Sequence, residues 1–215
     1  MLVLLLGFWF FAGFMPPHLP MASATEIAAI YQQNTTGIRV GMILQLISGA
    51  LVAPFVAVIS IQMRRIEGTS PVLAYTQLSA GTAGILLFII SAMIWTTAAY
   101  RPERPPELVQ LLNDLGWLFF VMPFVMAFVQ NFAIGFAILA DKRAQPVFPR
   151  WVGFLNLWVA ILFVPGGLVT FFKTGPFAWN GLLAFWLPLS VFGIWFGVMY
   201  VTLVRAIRQQ EAQPQ

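Results

Sequence analysis

The stretch that decides the fold is PVLAYTQLSAGTAGILLFIISAMIWTTAA, residues 71–99, which contains no Asp, Glu, Lys, Arg or His. A helix of about 20 apolar residues crosses a hydrocarbon layer about 30 Å thick, so this stretch is long enough to span a membrane. The chain contains four further apolar stretches, at 38–62, 115–140, 151–172 and 180–204. Short loops separate the stretches and hold most of the charged residues. We therefore predict an all-α fold, a polytopic transmembrane helical bundle that forms a single domain over residues 1–215.

The composition excludes several classes of protein and site. Hydrophobic residues make up 60% of the chain and charged residues 8%, with a mean hydropathy of +0.87, whereas soluble domains are about 25% charged. Because the chain has no cysteine, disulfides, thiolate catalysis and iron–sulfur ligation are excluded. The single histidine, His18, excludes bis-histidine haem ligation and a multi-histidine metal site by this chain alone, and any other cofactor stays unknown. The basic residues lie in short loops, which is typical of membrane orientation and does not indicate a nucleic-acid partner.

The apolar N-terminal stretch 2–15 leaves the number of spans open. It is short for a membrane crossing and ends at the prolines of 16–17, which oppose a helix. We predict a sixth span here, with five spans as the alternative; a cleaved signal peptide is disfavoured because no positive side chain precedes the apolar segment. Residues 23–33 follow helical spacing, with Ser23 and Glu26 in a capping-box pattern, and predict a short interfacial helix.

The distribution of basic residues predicts the orientation, because Lys and Arg in short loops stay on the cytoplasmic side. With alternating loops, one side collects seven of them: Arg64, Arg65, Lys142, Arg143, Arg150, Arg205 and Arg208. The other side collects four: Arg39, Arg101, Arg104 and Lys173. With six spans both termini are cytoplasmic, whereas with five the N-terminus lies outside. Since no eukaryotic targeting feature is present, we predict a multi-pass protein of the bacterial inner membrane.

Prolines and polar residues inside the predicted spans are candidates for a ligand site. Four prolines are expected to kink their helices: Pro54, Pro123, Pro165 and Pro188. Kinks of this kind open pockets in membrane proteins. A pocket for a small hydrophobic or lipid-like molecule would be lined by five residues at membrane depth: Gln77, Gln130, Asn131, Asn156 and Trp186. The alternative is that the amides hydrogen-bond between helices and that the prolines reflect their general frequency in membrane helices.

The last span carries a pattern of small residues. Gly193 and Gly197 are four positions apart, a spacing that permits close approach of a second helix. This pattern predicts helix packing, either within the chain or against another membrane protein.

The predicted outer loops contain titratable residues, which are His18, Glu26, Glu103, Glu107 and Asp114. Such a set is able to bind a cation or to serve in acid–base chemistry. The alternative is a solvated loop surface in which these groups are neutralised by Arg101 and Arg104, and no metal-binding spacing is present. We therefore predict no catalytic residue and no metal site.

Four segments resemble parts of an uncharacterised family of multispan bacterial integral membrane proteins: PPHLP at 16–20, SATEIA at 23–28, PRWVGF at 149–154 and GPFAWNG at 175–181. The resemblance implies the membrane class and brings no activity with it.

The sequence favours a non-catalytic integral subunit or accessory protein of a bacterial inner-membrane complex. Its expected partners are the lipid bilayer and other membrane protein subunits or a second copy of the chain. One alternative is a transporter or binding protein for a small hydrophobic or lipid-like molecule. Another is a membrane enzyme that acts on a lipid or hydrocarbon.

Overall fold

The computed structural model describes residues 2–66 and 71–212, and within these ranges the chain is helical and contains no strand. The α-helical elements are α1 (Leu2–Phe11, whose second part Leu6–Phe11 is a π-helix), α2 (Ala24–Gln33), α3 (Thr35–Met63), α4 (Pro71–Tyr100), α5 (Pro106–Val121), α6 (Phe124–Ala140), α7 (Arg150–Leu162) and α8 (Leu187–Glu211). The all-α prediction is confirmed.

Five helical segments of the described chain are long and apolar enough to cross a membrane. They are Thr35–Met63, Pro71–Tyr100, Pro106–Ala140, Arg150–Thr170 and Leu182–Glu211. In the most apolar 18-residue part of each segment, at most 39% of the residues are buried inside the protein. Most of the apolar surface of these segments is therefore left for lipid to cover. The chain is a multi-pass membrane protein that contacts the bilayer.

The N-terminal helix is shorter than the five candidate spans. α1 contains 10 residues, and at 1.5 Å per residue it is about 15 Å long, half of the hydrocarbon thickness. It is followed by Gly13, whose φ of 68° lies in the left-handed region, and the chain then turns toward the prolines at 16–17. The N-terminal stretch is therefore a short apolar helix that ends well before residue 15.

The capping box predicted at Ser23 is confirmed. The Glu26 N–H donates to Ser23 Oγ at 3.3 Å, and the Ser23 N–H donates to Glu26 Oε2 at 2.7 Å. These bonds satisfy two N–H groups that a helix start leaves unpaired. The backbone N–H and the hydroxyl of Ser23 both donate to the Glu26 carboxylate, and these two bonds lower the pKa of Glu26. The short helix that follows is α2, which ends at Gln33, and α3 begins two residues later.

The four prolines occupy different kinds of backbone. Pro54 lies in the interior of α3, whereas Pro123 separates α5 from α6. Pro165 lies in the 3₁₀ segment Val164–Thr170 that follows α7, so the regular helix ends at Leu162. Pro188 is the second residue of α8, directly after the π-helix Leu182–Trp186.

The described residues form two compact units. The first unit is drawn from 1–51, 85–123 and 165–187, and the second from 52–84, 124–164 and 188–215. The first has an aromatic core that includes Phe14, Tyr31, Trp95 and Trp117. The second has a mostly aliphatic core that includes Ile59, Ile134, Ile138, Phe148, Met199 and Leu203.

Candidate functional site

His18 is the centre of a buried polar cluster in the first unit. Its side chain is 7% exposed, and Nδ1 forms a 2.7 Å hydrogen bond with Asn113 Oδ1 on α5. The hydroxyl of Tyr31 on α2 donates to the same oxygen at 3.2 Å. Because a carboxamide oxygen only accepts hydrogen bonds, Nδ1 of His18 carries the proton and Nε2 holds a lone pair.

Aromatic rings surround this imidazole. The ring centroids of Phe14 and Trp117 lie 4.5 and 5.7 Å from that of His18, both at edge-on angles. Burial lowers the pKa of His18, and the hydrogen bond with Asn113 offsets only part of this effect, so the imidazole is neutral. Nε2 of His18 and Nε1 of Trp117 are buried without a hydrogen-bond partner among the described residues.

Two tryptophans connect the same cluster to other backbone segments. Trp179 Nε1 donates to the carbonyl of His18 at 2.8 Å, and Trp95 Nε1 donates to the carbonyl of Asn113 at 3.4 Å. The cluster therefore links the loop after α1 to α2, α4 and α5 and to the segment before α8. With 7% of its side chain exposed, the imidazole is buried among these connections.

The structure brings together two of the five titratable residues predicted on the outer face. Asp114 Oδ1 accepts from Asn113 Nδ2 at 3.3 Å and so joins the His18 cluster, whereas Glu26 serves in the capping box of α2. Neither Glu103 nor Glu107 forms a described hydrogen bond with this cluster. Over 2–66 and 71–212, no group of three or more His, Asp or Glu side chains is placed to hold a metal ion.

Two of the predicted ligand-site amides pack near each other in the second unit. Gln77 Nε2 donates to the carbonyl of Val56 at 3.3 Å. Gln130 lies against Gly81, where an added Cβ would come within 2.6 Å of both Gln130 Nε2 and Val56 Cγ1. Gln77 Oε1 and Gln130 Nε2 are buried and have no hydrogen-bond partner in the part of the chain that the structure describes.

The other two amides differ in how well they are satisfied. Asn156 donates to the carbonyl of Val152 at 2.8 Å and accepts from Trp195 Nε1 at 2.9 Å. Asn131 donates to the carbonyl of Ala127 at 2.8 Å, while its Oδ1 has no partner within the described ranges.

Trp186, the fifth residue of the predicted ligand site, belongs to the other unit. It lies in the π-helix before α8 with 38% of its side chain exposed, and its ring is 5.4 Å from that of Phe185. The four amides lie in the second unit and Trp186 in the first, so the predicted ligand site stays a prediction.

α8 has a buried face and an exposed face. Its buried residues are Trp195, Met199, Thr202, Leu203 and Ala206. On the opposite face Ile194, Tyr200 and Val201 are 60, 59 and 64% exposed. Apart from the local helix backbone, a Cβ added at Gly197 would meet no atom of the described residues within 4 Å. Gly193 is half-buried one turn earlier. We call Gly193, Ile194, Gly197, Tyr200 and Val201 the open face of α8.

Asn113 was missed as a site residue by sequence analysis. Asn113 follows Val109 by four positions and precedes Trp117 by four, and all three are buried. That spacing is the signal that places Asn113 on the inner face of α5. Its pairing with His18, 95 positions earlier, has no local signal.

Comparison with protein-family models, with curated proteins and with solved structures finds no match to this chain.

Proposed function

We propose that the protein is a non-catalytic integral subunit or accessory protein of a bacterial inner-membrane complex. In this proposal it binds a transmembrane helix of a different membrane protein through the open face of α8. The observation that carries the proposal is the empty space beside Gly197.

At several other helical glycines of this chain, neighbouring atoms occupy the space that a Cβ would take. A Cβ added at Gly135 would lie 2.7 Å from Leu157 Cδ2, and one added at Gly49 would lie 3.2 Å from Phe88 Cβ. These glycines serve close packing inside the chain. Gly197 exposes its backbone with no packing partner in the described residues, at the cost in helix stability that glycine brings.

The physics of membranes makes such a face useful for helix contact. Lipid tails are as apolar as leucine, so helices associate through close packing and weak backbone contacts more than through the hydrophobic effect. Gly197 allows the backbone of a second helix to approach, and the flanking Ile194 and Val201 offer apolar side chains to pack around it. A bulky residue at 197 would prevent that approach.

Charge favours a different protein over a second copy of this chain. Arg208 is exposed three helical turns after Gly197 and therefore lies on the same side of α8. Copies inserted in the same orientation form a symmetric dimer about an axis along the membrane normal, so Arg208 would meet Arg208. Like charges in contact are unfavourable, whereas a partner with an acidic or neutral residue at this level avoids the repulsion.

The proposed location follows from the basic residues. All seven that the sequence assigns to the cytoplasmic side belong to the second unit, and the other four belong to the first. We propose an orientation in the inner membrane with the C-terminus in the cytoplasm. With five spans, the N-terminus lies on the outer side.

Mild solubilisation of the protein at its native level, followed by native mass measurement, tests the proposed function. We expect a complex of constant stoichiometry with another membrane protein, which Gly197→Leu abolishes. Ala50→Leu is the matched control, since Ala50 is another small, exposed residue in a long apolar helix. A monomer, a dimer of this chain, or equal loss of the complex in both variants would contradict the proposal.

The unpaired amides favour a second candidate, a transporter or binding protein for a small hydrophobic or lipid-like molecule that carries a polar group. Gln77 Oε1, Gln130 Nε2 and Asn131 Oδ1 offer two acceptors and one donor that the described residues leave unsatisfied. Buried polar atoms without partners are costly, and a bound polar group would remove that cost. Native mass spectrometry should then show a bound species that Gln130→Met removes, and a ligand-free native protein contradicts this candidate.

A further inference from the structure

A cavity of about 450 Å³ lies in the second unit, beside the loop before α7 and the last turns of α8. Its volume falls within the range of about 300–1,000 Å³ that small-molecule sites occupy. The lining residues are Ala144, Gln145, Pro146, Val147, Pro149, Arg205 and Gln209. None of them belongs to the open face of α8 or to the predicted ligand site.

Among the described residues, the lining carries one positive charge and no carboxylate. Arg205 is the one ionisable residue of this described lining, and the amides of Gln145 and Gln209 supply further hydrogen-bond donors. The ion pair described in this part of the chain joins Arg143 to Asp141 and leaves Arg205 out. The cavity is therefore electropositive.

Asp141, the acidic residue at the start of the same loop, does not neutralise Arg205. Its Oδ1 accepts from the backbone N–H and the Nε of Arg143, at 3.2 and 3.0 Å. Its Oδ2 accepts from Arg143 Nη2 at 2.9 Å and from the Val147 N–H at 3.0 Å. Four donors thus occupy this carboxylate.

The same hydrogen bonds hold the cavity wall in place. Partial burial raises the pKa of Asp141, but the bonds from Arg143 and Val147 outweigh this and lower it, so the group stays ionised. Val147 and Phe148 are 4 and 0% exposed and belong to the core of the second unit. A wall fixed in this way does not need to order itself when a ligand binds.

The cavity also lies beside the ends of two candidate spans, where lipid headgroups are expected. Pro149 lines it, and the candidate span Arg150–Thr170 begins at the next residue. Trp151 is 54% exposed at the start of that span, which is typical of an aromatic side chain at the membrane interface. Arg205 and Gln209 lie near the end of the span Leu182–Glu211.

We propose that this cavity binds a phosphate group, with the guanidinium of Arg205 on the phosphate oxygens and Gln145 and Gln209 as additional donors. Arginine suits this ligand because its planar fork donates two parallel hydrogen bonds to a phosphate. Anionic lipid headgroups and free phosphate compounds share this chemistry, and the interfacial depth favours the lipid. Basic pockets on the cytoplasmic side of membrane helices bind anionic lipids in the same way.

Native mass spectrometry of the full chain in detergent tests this proposal with added phosphatidylglycerol, phosphatidylcholine or inorganic phosphate. We expect phosphatidylglycerol to bind more tightly than phosphatidylcholine, and Arg205→Gln to weaken its binding about tenfold. Arg208→Gln is the matched control. Arg208 lies one helical turn after Arg205 and carries the same charge, but it does not line the cavity. We expect this control to change binding less than twofold.

Each outcome decides between sources or against the site. If inorganic phosphate binds and its binding depends on Arg205, the result supports the phosphate site with a soluble ligand. If inorganic phosphate does not displace bound phosphatidylglycerol, the result identifies the lipid as the ligand. The proposal would be overturned if both arginine variants lost the same affinity for phosphatidylglycerol. It would also be overturned if the protein bound neither phosphatidylglycerol nor phosphate in preference to phosphatidylcholine. If Arg205→Gln does not fold, Gln145→Ala on the exposed loop replaces it, and unchanged phosphatidylglycerol binding in that variant counts against the site.

Discussion

The indole N–H of Trp195 donates a 2.9 Å hydrogen bond to Asn156 Oδ1, and this bond joins α8 to α7 inside the second unit. Asn156 uses its Nδ2 for the carbonyl of Val152 and for Met199 Sδ, which lies 3.7 Å away. The amide is therefore satisfied on both sides. Its contacts with Trp195 and Met199 connect α7 to α8, while a ligand contact of Asn156 stays a prediction.

Trp195→Phe should destabilise the second unit. The variant keeps an aromatic ring but leaves Asn156 Oδ1 without its donor, and we expect a loss of about 0.6–1.7 kcal/mol in the free energy of unfolding. Reversible unfolding in detergent measures this loss, and a double-mutant cycle with Asn156→Leu should assign it to the pair. Trp158→Phe, at a side chain that is 63% exposed, is the control. Equal stability of Trp195→Phe and the native protein would contradict the role of this bond.

Gly116→Ala and Gly197→Ala should have opposite effects on the isolated protein. A Cβ at Gly116 would lie 2.6 Å from Trp95 Cδ1, inside the aromatic core, and we expect overpacking to cost about 1–3 kcal/mol. A Cβ at Gly197 meets no atom within 4 Å in the part of the chain that the structure describes, so this variant should gain about 0.5–1 kcal/mol in the free energy of unfolding from the better helix former. Thermal unfolding of both purified variants measures the contrast. Destabilisation by Gly197→Ala in the purified monomer would show that the open face is packed within the chain.

His18 should make the stability of the first unit depend on pH. Burial lowers its pKa in the folded protein, so the unfolded chain binds the extra proton more readily, starting below about pH 6.5. The stability that neutral His18 contributes is fully present above that pH, and it is lost as the pH falls toward the pKa of His18 in the folded protein. Melting temperatures across this window should therefore decrease with acidification.

His18→Gln is the variant that assigns this effect, because the chain has no other histidine. Glutamine retains a donor for Asn113 and does not titrate. We expect the pH dependence below about 6.5 to become much smaller in this variant. A pH dependence that is unchanged by the substitution would place its origin elsewhere, for example at Asp114.

The sequence predicted those features of the fold that depend on local pattern. The all-α class, the long apolar helices and the capping box of Ser23 and Glu26 follow from residue type and spacing over one or a few turns. At Pro123 the sequence predicted only a kink, whereas the structure has a helix break. Proline opposes a helix, but its presence alone does not show whether the helix continues after it.

The candidate sites were less predictable because they depend on contacts between distant residues. Tyr31 and Asn113 are 82 positions apart, and nothing near either residue indicates their hydrogen bond. The space beside Gly197 also requires knowledge of what packs around α8. The Gly193 and Gly197 pattern predicted a helix contact. It did not predict that the described residues leave the space beside Gly197 open.

Gln130→Met should stabilise the isolated protein. Gln130 Nε2 is buried and has no hydrogen-bond partner among the described residues, and an unsatisfied donor costs about 1–3 kcal/mol. A methionine of similar length removes the donor and keeps the packing against Gly81. Unfolding measurements on the delipidated protein test this, and a clear loss of stability would show that the amide has a partner.

Photocrosslinking in native membranes tests the central claim most directly. A photoreactive amino acid placed at Gly197 should give one discrete adduct with a different membrane protein, while the same group at Ala50 should give none. Adducts with lipid alone at both positions, or a crosslinked dimer of this chain at position 197, would contradict the claim that α8 contacts a partner subunit.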